Sequence, residues 1–158
     1  MIDLLRETGV FAEFSDKELE DFSGICERIS VNQGDRIFEA ESSAEHLYIV
    51  SRGAIELRFK VTYYHVSKEV TLERKFKSDA FGWSALTEPY VYTLAAVAMQ
   101  DSELLKFKAS DVKRLSASAS HLGHILMRNI SEIIAERFVA LQRMLIDVIR
   151  ENLKDKEP

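Results

Sequence analysis

The spacing of hydrophobic and polar positions divides the chain into a helical start, a β-rich middle and a helical end. In residues 4–27, six hydrophobic residues recur at helical spacings: Leu5, Phe11, Phe14, Leu19, Phe22 and Ile25. Ser15 and Glu18 make a Ser-x-x-Glu sequence, which is typical of a capping box at a helix start. The pattern predicts two short helices here.

The middle of the chain, residues 28–107, has short β-rich runs separated by turn residues. They predict strands at 35–39, 46–50, 54–64, 69–76, 93–98 and 102–107. Gly34 and Gly53 mark the clearest turns, because glycine reaches the left-handed backbone conformations that tight turns need. Within the third run Ile55, Leu57 and Phe59 alternate with polar or small residues, as in a half-buried strand. So many short strands favour a sandwich, barrel or roll.

Helical spacing returns beyond residue 109, with Ser110 as a predicted cap and a long helix predicted over 121–153. Its apolar residues repeat at steps of three and four along one stripe: Met127, Ile130, Ile134, Phe138, Leu141, Leu145 and Val148. A stripe that extends past its own domain core commonly pairs with an identical helix. We therefore predict a homodimer whose interface contains Ile134, Phe138, Leu141, Leu145 and Val148. The alternative is that the stripe packs wholly on the chain's own β-rich part.

Composition narrows the function classes. The 158 residues fit one domain with an appended helix, and 46% hydrophobic with 30% charged residues is the balance of an ordinary globular protein. The net charge of -5 argues against direct nucleic-acid binding, which needs clustered basic residues. The single cysteine, Cys26, cannot form an internal disulfide, and the sequence contains neither a signal peptide nor a membrane span. We expect a cytoplasmic protein with no membrane contact.

Catalytic and metal-binding patterns are weak. His121 and His124 are three residues apart on one predicted helix, but no third ligand joins them, so solvated histidines are the better interpretation. His46 and His65 give no sign of an axial haem ligand. No nucleophile elbow, Walker loop or dinucleotide fingerprint is present. The sequence therefore predicts no enzyme, no metal site and no certain cofactor.

Four stretches together resemble the cyclic-nucleotide-binding domain of catabolite-activator-type regulators. They are Gly34-Asp35-Arg36-Ile37-Phe38, Leu47-Tyr48-Ile49-Val50, Gly53 with Ile55-Glu56-Leu57, and Phe81-Gly82 with Ala85-Leu86. The resemblance implies an α+β fold: an antiparallel β-roll of the double-stranded β-helix or jelly-roll type, flanked by short N-terminal helices and a long C-terminal helix. It places the roll in residues 1–120, the dimerisation helix in 121–153 and a frayed tail in 154–158.

The same resemblance implies a pocket for a cyclic nucleotide or another small anionic ligand at a short helix that begins at Gly82. A helix start presents unpaired N–H groups, which attract an anion. The candidate pocket residues are Phe81, Gly82, Trp83, Ser84, Ala85, Tyr92 and Thr93. Ser84 and Thr93 are either hydrogen-bond donors to the anion or ordinary turn and cap residues.

Two candidate residues depart from the family pattern. Trp83 stands where the family has a glutamate for the ribose, and Tyr92 stands where it has an arginine for the phosphate. Losing each charged partner forfeits about 1.5–3 kcal/mol, so we expect weak binding of ordinary cyclic nucleotides. Trp83 either stacks on a planar ligand or plugs an unused pocket, and the Tyr92 hydroxyl meets either a ligand oxygen or a backbone carbonyl.

The sequence thus predicts a small-molecule-sensing regulatory domain that signals through its C-terminal helix to a protein partner. Only ten residues follow Val148, too few for the helix-turn-helix that the family's transcription factors use to read DNA. The alternative is a structural dimerisation or protein-interaction module that binds no ligand.

Overall fold

The computed structural model describes residues 1–154 as an α+β fold with two four-stranded sheets. The helices are α1 Ile2–Glu7, α2 Asp16–Gly24, α3 Ala109–Ser118 and α4 Ser120–Lys154, and there are 3₁₀ turns at Gly9–Phe11 and Trp83–Leu86. The strands are β1 Cys26–Val31, β2 Arg36–Phe38, β3 His46–Arg52, β4 Ile55–Tyr63, β5 Val66–Lys75, β6 Ala80–Phe81, β7 Ala95–Ala98 and β8 Ser102–Lys108. The sheet orders are β1-β8-β3-β6 and β2-β7-β4-β5, antiparallel throughout. The predicted β-roll with flanking helices is confirmed.

Local chemistry explains several of the element boundaries. At the start of α2 the Ser15 amide donates to Glu18 Oε2 at 2.7 Å, and the Glu18 amide donates to Ser15 Oγ at 3.4 Å, so the predicted capping box is confirmed. Gly34 and Gly53 have φ values of 87° and 96°. At Gly53 a Cβ atom would also lie 2.1 Å from Ser102 Oγ. Both turns therefore require glycine.

The core lies on both faces of β3. Leu47 and Ile49 pack with the helices, whereas Tyr48 and Val50 belong to the cluster that contains Ile55 and other residues of the opposite sheet. Successive side chains of a strand point to opposite faces, and both faces of this strand are buried. Its residues are therefore hydrophobic without interruption from Leu47 to Val50. One face of β3 thus packs against the helices, and the other face packs against the opposite sheet inside the roll.

Three predicted details are wrong. Residues 26–31 form β1, which pairs with β8 from Cys26↔Phe107 to Val31↔Ser102, although the sequence suggested helix up to residue 27. The two-residue β6 was also missed. Ser110 is not a cap, because α3 begins at Ala109 and its capping position is Lys108. These strands depend on partners far away in the chain, which local spacing does not reveal.

The long helix α4 is fixed to the body by its first half. Leu122, Leu126 and Ile130 are buried in the helical side of the core. The Asn129 amide donates to the carbonyls of Val10 at 3.0 Å and Ala12 at 2.9 Å. The stripe therefore packs partly on its own chain, as Ile130 shows.

The second half of α4 presents its apolar residues to solvent in the single chain. Phe138, Leu145 and Val148 are each more than half exposed, while Ile134 is partly buried. None of the helices in the described residues 1–154 combines the length and hydrophobicity that crossing a bilayer demands. Lys154, the first residue of the expected frayed tail, is the last residue of α4, and residues 155–158 lie outside the described part.

Candidate functional site

The turn after β6 forms the floor of the candidate site. β6 pairs with β3 through Tyr48↔Phe81, and the chain then turns at Gly82, with φ 79° and ψ 19°, into the 3₁₀ turn Trp83–Leu86. A Cβ atom at Gly82 would lie 2.9 Å from the His46 carbonyl oxygen. Glycine is required by both the backbone conformation and this close approach. The predicted short helix at Gly82 is therefore present as a single 3₁₀ turn.

A very small cavity lies at the position of the predicted pocket. Its described lining residues are Phe38, Leu57, Gly82, Trp83, Ser84, Tyr92, Thr93, Leu94 and Arg137. Its volume is about 20 Å³, which is room for one water molecule. A pocket for a drug-sized ligand usually occupies about 300–1,000 Å³. In this conformation the cavity is too small for a nucleotide.

Five of the seven sequence-predicted ligand residues line this cavity, namely Gly82, Trp83, Ser84, Tyr92 and Thr93. Phe81 and Ala85, which are buried in the core, are not among its described lining residues. Sequence reasoning missed Phe38, Leu57 and Leu94 as lining residues. Phe38 and Leu57 belong to stretches that carried the family resemblance, but their side-chain directions follow from the fold.

Tyr92 is held by the backbone of β3. Its hydroxyl donates to the His46 carbonyl at 2.8 Å and accepts from the His46 amide at 3.0 Å. Its ring stacks on Phe38, with centroids 3.7 Å apart and planes at 11°. Burial raises the pKa of the Tyr92 hydroxyl. Of the two roles considered for this hydroxyl, the structure shows the backbone contact.

Trp83 lies between the roll and α4. The guanidinium carbon of Arg137 is 5.8 Å from the centre of the Trp83 ring, within the range of a cation–π contact. The Arg137 Nε atom is also 3.5 Å from Glu73 Oε2 on β5. Of the nine residues that line the small cavity, Arg137 alone is charged. The cation nearest to the pocket is thus supplied by α4 and is already engaged.

An apolar groove of about 280 Å³ lies next to the small cavity, between the roll and α4. It is lined by Leu72, Trp83, Thr93, Leu94, Ile134, Arg137, Phe138 and Leu141. Trp83, Thr93, Leu94 and Arg137 border both spaces. Trp83 therefore lies between the small cavity of the roll and a groove that leads to the exposed apolar stripe of α4.

The predicted interface residues occupy two environments. Ile134, Phe138 and Leu141 line this groove, whereas Leu145 and Val148 lie farther along α4.

Of the two histidines weighed as a metal pair, His121 contacts Glu18 through Nε2 and Oε1 at 2.6 Å. This contact joins the start of α4 to α2.

The fold agrees with comparisons against known proteins. A family model described as cyclic nucleotide-binding domain matches residues 28–119, more than half of the chain. No curated protein sequence matches at a significant level.

Solved structures extend this comparison. A protein of Geobacter metallireducens GS-15, described as a candidate cyclic nucleotide-binding protein, is 28% identical, with a TM-score of 0.72 over 86% of this chain and 96% of that one. The N-terminal domain of a transcriptional regulator from Streptomyces coelicolor A3(2) is 20% identical, with a TM-score of 0.74 over 88% and 95%. The catabolite activator protein of Thermus thermophilus is 22% identical, with a TM-score of 0.73 over 90% of this chain and 63% of its own. The chain belongs to the cyclic nucleotide-binding domain family.

Proposed function

We propose that the protein is a non-catalytic, cytoplasmic regulatory module that senses a small molecule through a divergent roll pocket and signals through α4. The observation that carries this proposal is the contact between Trp83 of the pocket turn and Arg137 of α4. One aromatic side chain limits the pocket and touches the helix that would transmit the signal.

The pocket chemistry supports weak or altered binding of ordinary cyclic nucleotides. Tyr92 occupies the position where the family pattern has a phosphate-binding arginine. The Tyr92 hydroxyl is already hydrogen-bonded to the His46 backbone. Trp83 occupies the position where the family pattern has a glutamate for the ribose. The cation of Arg137 is paired with Glu73, with 3.5 Å between Arg137 Nε and Glu73 Oε2. A phosphate in this pocket would have to compete with Glu73 for Arg137, the only charged residue among the described residues that line the pocket.

Ligand entry would be coupled to α4 by contact. A molecule larger than water that enters by displacing Trp83 would separate the Trp83 ring from Arg137. A ligand shifts a conformational equilibrium only if it prefers one arrangement of the protein over the other. A ligand that displaces Trp83 would favour a position of α4 in which Arg137 no longer contacts the Trp83 ring.

Homodimerisation through α4 completes the proposed output. The exposed apolar residues Phe138, Leu145 and Val148 lie on the stripe that begins in the core at Ile130. Burial of such side chains is favourable, and two-fold pairing is the commonest closed arrangement. A change in the position of α4 would then alter the dimer and a surface presented to a protein partner.

A second candidate function is a structural dimerisation module that binds no ligand. The cavity volume of about 20 Å³ and the Phe38–Tyr92 stack favour it, because a filled pocket needs no occupant. The two candidates differ in whether pocket occupancy affects dimerisation.

The test uses Trp83 as the reporter, since it is the single tryptophan of the chain. Cyclic nucleotides and small phosphorylated metabolites are titrated while Trp83 emission is followed, and each active compound is then added in sedimentation equilibrium. A sensing module predicts a compound that changes both the emission and the dimer dissociation constant, the latter by about fivefold or more. An emission change without any effect on association, or no active compound with a stable dimer, would favour the structural module.

A further inference from the structure

A second cavity lies outside the roll, between α3, the first half of α4 and the end of the 3₁₀ turn. Its volume is about 210 Å³, and it is lined by Leu86, Val112, Lys113, Ser116, Ala117, Gly123, Leu126 and Met127. It shares none of these residues with the roll pocket. An apolar cavity of about 150 Å³ can hold a benzene ring, so this space suits a small ring or a short chain.

Gly123 keeps the wall of this cavity open. It lies inside α4, where alanine is the better helix former, and its φ is not in the left-handed region. A Cβ atom there would lie 3.5 Å from the Ser116 carbonyl oxygen and 3.9 Å from Ser116 Cβ, both ordinary contacts. Neither the backbone nor a clash requires glycine. Its structural effect is the room that it leaves between the two helices.

Ser116 places a buried polar group in the same wall. The residue is 9% exposed, and its Oγ atom is buried without a hydrogen-bond partner in the described residues. Buried hydroxyl groups in proteins are normally paired. A polar atom of a molecule in the cavity would provide the missing partner once the Ser116 side chain changes to another rotamer.

Lys113 adds a positive charge at the rim. It lies one helical turn before Ser116 on α3, so the two residues share a face. Its ammonium lies 3.8 Å from the centre of the Tyr90 ring, which is not among the lining residues, so the ammonium must leave this weak cation–π contact to reach a ligand in the cavity. Val112 and Leu126 are buried and supply apolar walls. The cavity thus combines apolar walls and one buried hydroxyl, with one cation within reach of its rim.

We propose that this cavity binds a small apolar carboxylate of about the size of benzoate. The apolar body contacts Leu86, Val112 and Leu126, and the carboxylate accepts hydrogen bonds from Lys113 and Ser116. Such a ligand touches α3 and α4 on both sides of the break at Ala119, so it stabilises one angle between the two helices. The site is separate from the pocket of the proposed function and does not depend on it.

The experiment follows methyl groups by NMR in the full chain while benzoate is added. We expect the methyl signals of Leu86, Val112 and Leu126 to shift and those of Leu57, in the roll pocket, to stay in place. Benzyl alcohol should bind more weakly by roughly three- to tenfold, because it lacks the charge. Shifts confined to Leu57, or no shift at Leu86, Val112 and Leu126 up to millimolar benzoate, would overturn the proposal.

Matched variants locate the binding. Gly123→Leu fills the cavity and should weaken benzoate binding by about tenfold or more, whereas Gly24→Leu, at a helix end with open space around it, should not. Gly123→Ala is the milder variant if the leucine disturbs folding by circular dichroism, and it should weaken binding in the same direction. Lys113→Gln should reduce benzoate binding to the level of benzyl alcohol. Unchanged affinity in a folded Gly123→Leu or Lys113→Gln variant would contradict the site.

Discussion

Replacement of Leu145 by glutamate should dissociate the proposed dimer. Leu145 lies on the apolar stripe and is 60% exposed in the single chain, so pairing of two α4 helices can still bury most of it. Complete burial of a leucine contributes about 1.5–3 kcal/mol, so burial of the exposed part contributes roughly 1–2 kcal/mol per chain. A two-fold pair loses this twice, about 2–4 kcal/mol, and also brings two carboxylates together.

This loss corresponds to an increase in the dimer dissociation constant of roughly thirtyfold to a thousandfold. Leu141→Glu should act in the same direction, but Leu141 is only 36% exposed and lines the groove beside Trp83, so the charge would also disturb the chain's own packing. Leu145 is therefore the cleaner position for the test.

The assay is sedimentation equilibrium of the parent and Leu145→Glu at matched concentrations, with circular dichroism as a check of folding. Val139→Glu is the matched control, since Val139 is an exposed apolar residue away from the stripe and should leave the dimer intact. A monomeric parent, or a folded Leu145→Glu variant that associates as tightly as the parent, would show that the apolar stripe of α4 is not a dimer interface.

Two further predictions concern stability. Tyr92→Phe removes both hydrogen bonds to the His46 backbone and should lower the free energy of unfolding in urea by about 1–3 kcal/mol, whereas Tyr64→Phe at the exposed hairpin tip should have no effect. The hydrogen bond from the Ser15 amide holds the pKa of Glu18 below its ordinary value of 4.5. The charged carboxylate therefore stabilises the fold above pH 4.5, and this contribution is lost as the pH falls through the lower folded-state pKa. Below pH 4.5 the parent should lose stability more steeply than Glu18→Gln, which keeps a capping side chain but does not titrate; equal slopes would contradict this.

The features that sequence predicted well depend on neighbouring residues. The capping box of Ser15 and Glu18 needs two residues three apart, and the turns at Gly34 and Gly53 need one glycine each. The turn at Gly82 came from the family resemblance, and the structure adds the reason that a side chain there would meet the His46 carbonyl. Local rules of this kind are visible in a single sequence.

The features that sequence could not predict depend on distant partners. Glu56 alternates with Ile55 and Leu57 as an outward residue would, yet it is buried, and besides its neighbour Arg58 it accepts a hydrogen bond from Arg74 on the adjacent strand β5.

The contents of the pocket show the same limit. The volume that remains beside Trp83 depends on how the Phe38 and Tyr92 rings stack and on how close α4 brings Arg137. Spacing along the chain contains no information on these distances.

The role of Trp83 in the roll pocket is tested most directly by calorimetric titration of cyclic AMP and cyclic GMP into the parent and into two variants at position 83. Trp83→Glu enlarges the cavity and restores the carboxylate of the family pattern, while Trp83→Leu enlarges it without the charge. The double change with Tyr92→Arg is avoided, because it would also remove the hydrogen bonds to His46.

We expect dissociation constants well above the micromolar range for the parent, and binding by Trp83→Glu that is about tenfold tighter than by Trp83→Leu. Sub-micromolar binding of either nucleotide by the parent would contradict the claim that Trp83 closes the roll pocket to ordinary cyclic nucleotides.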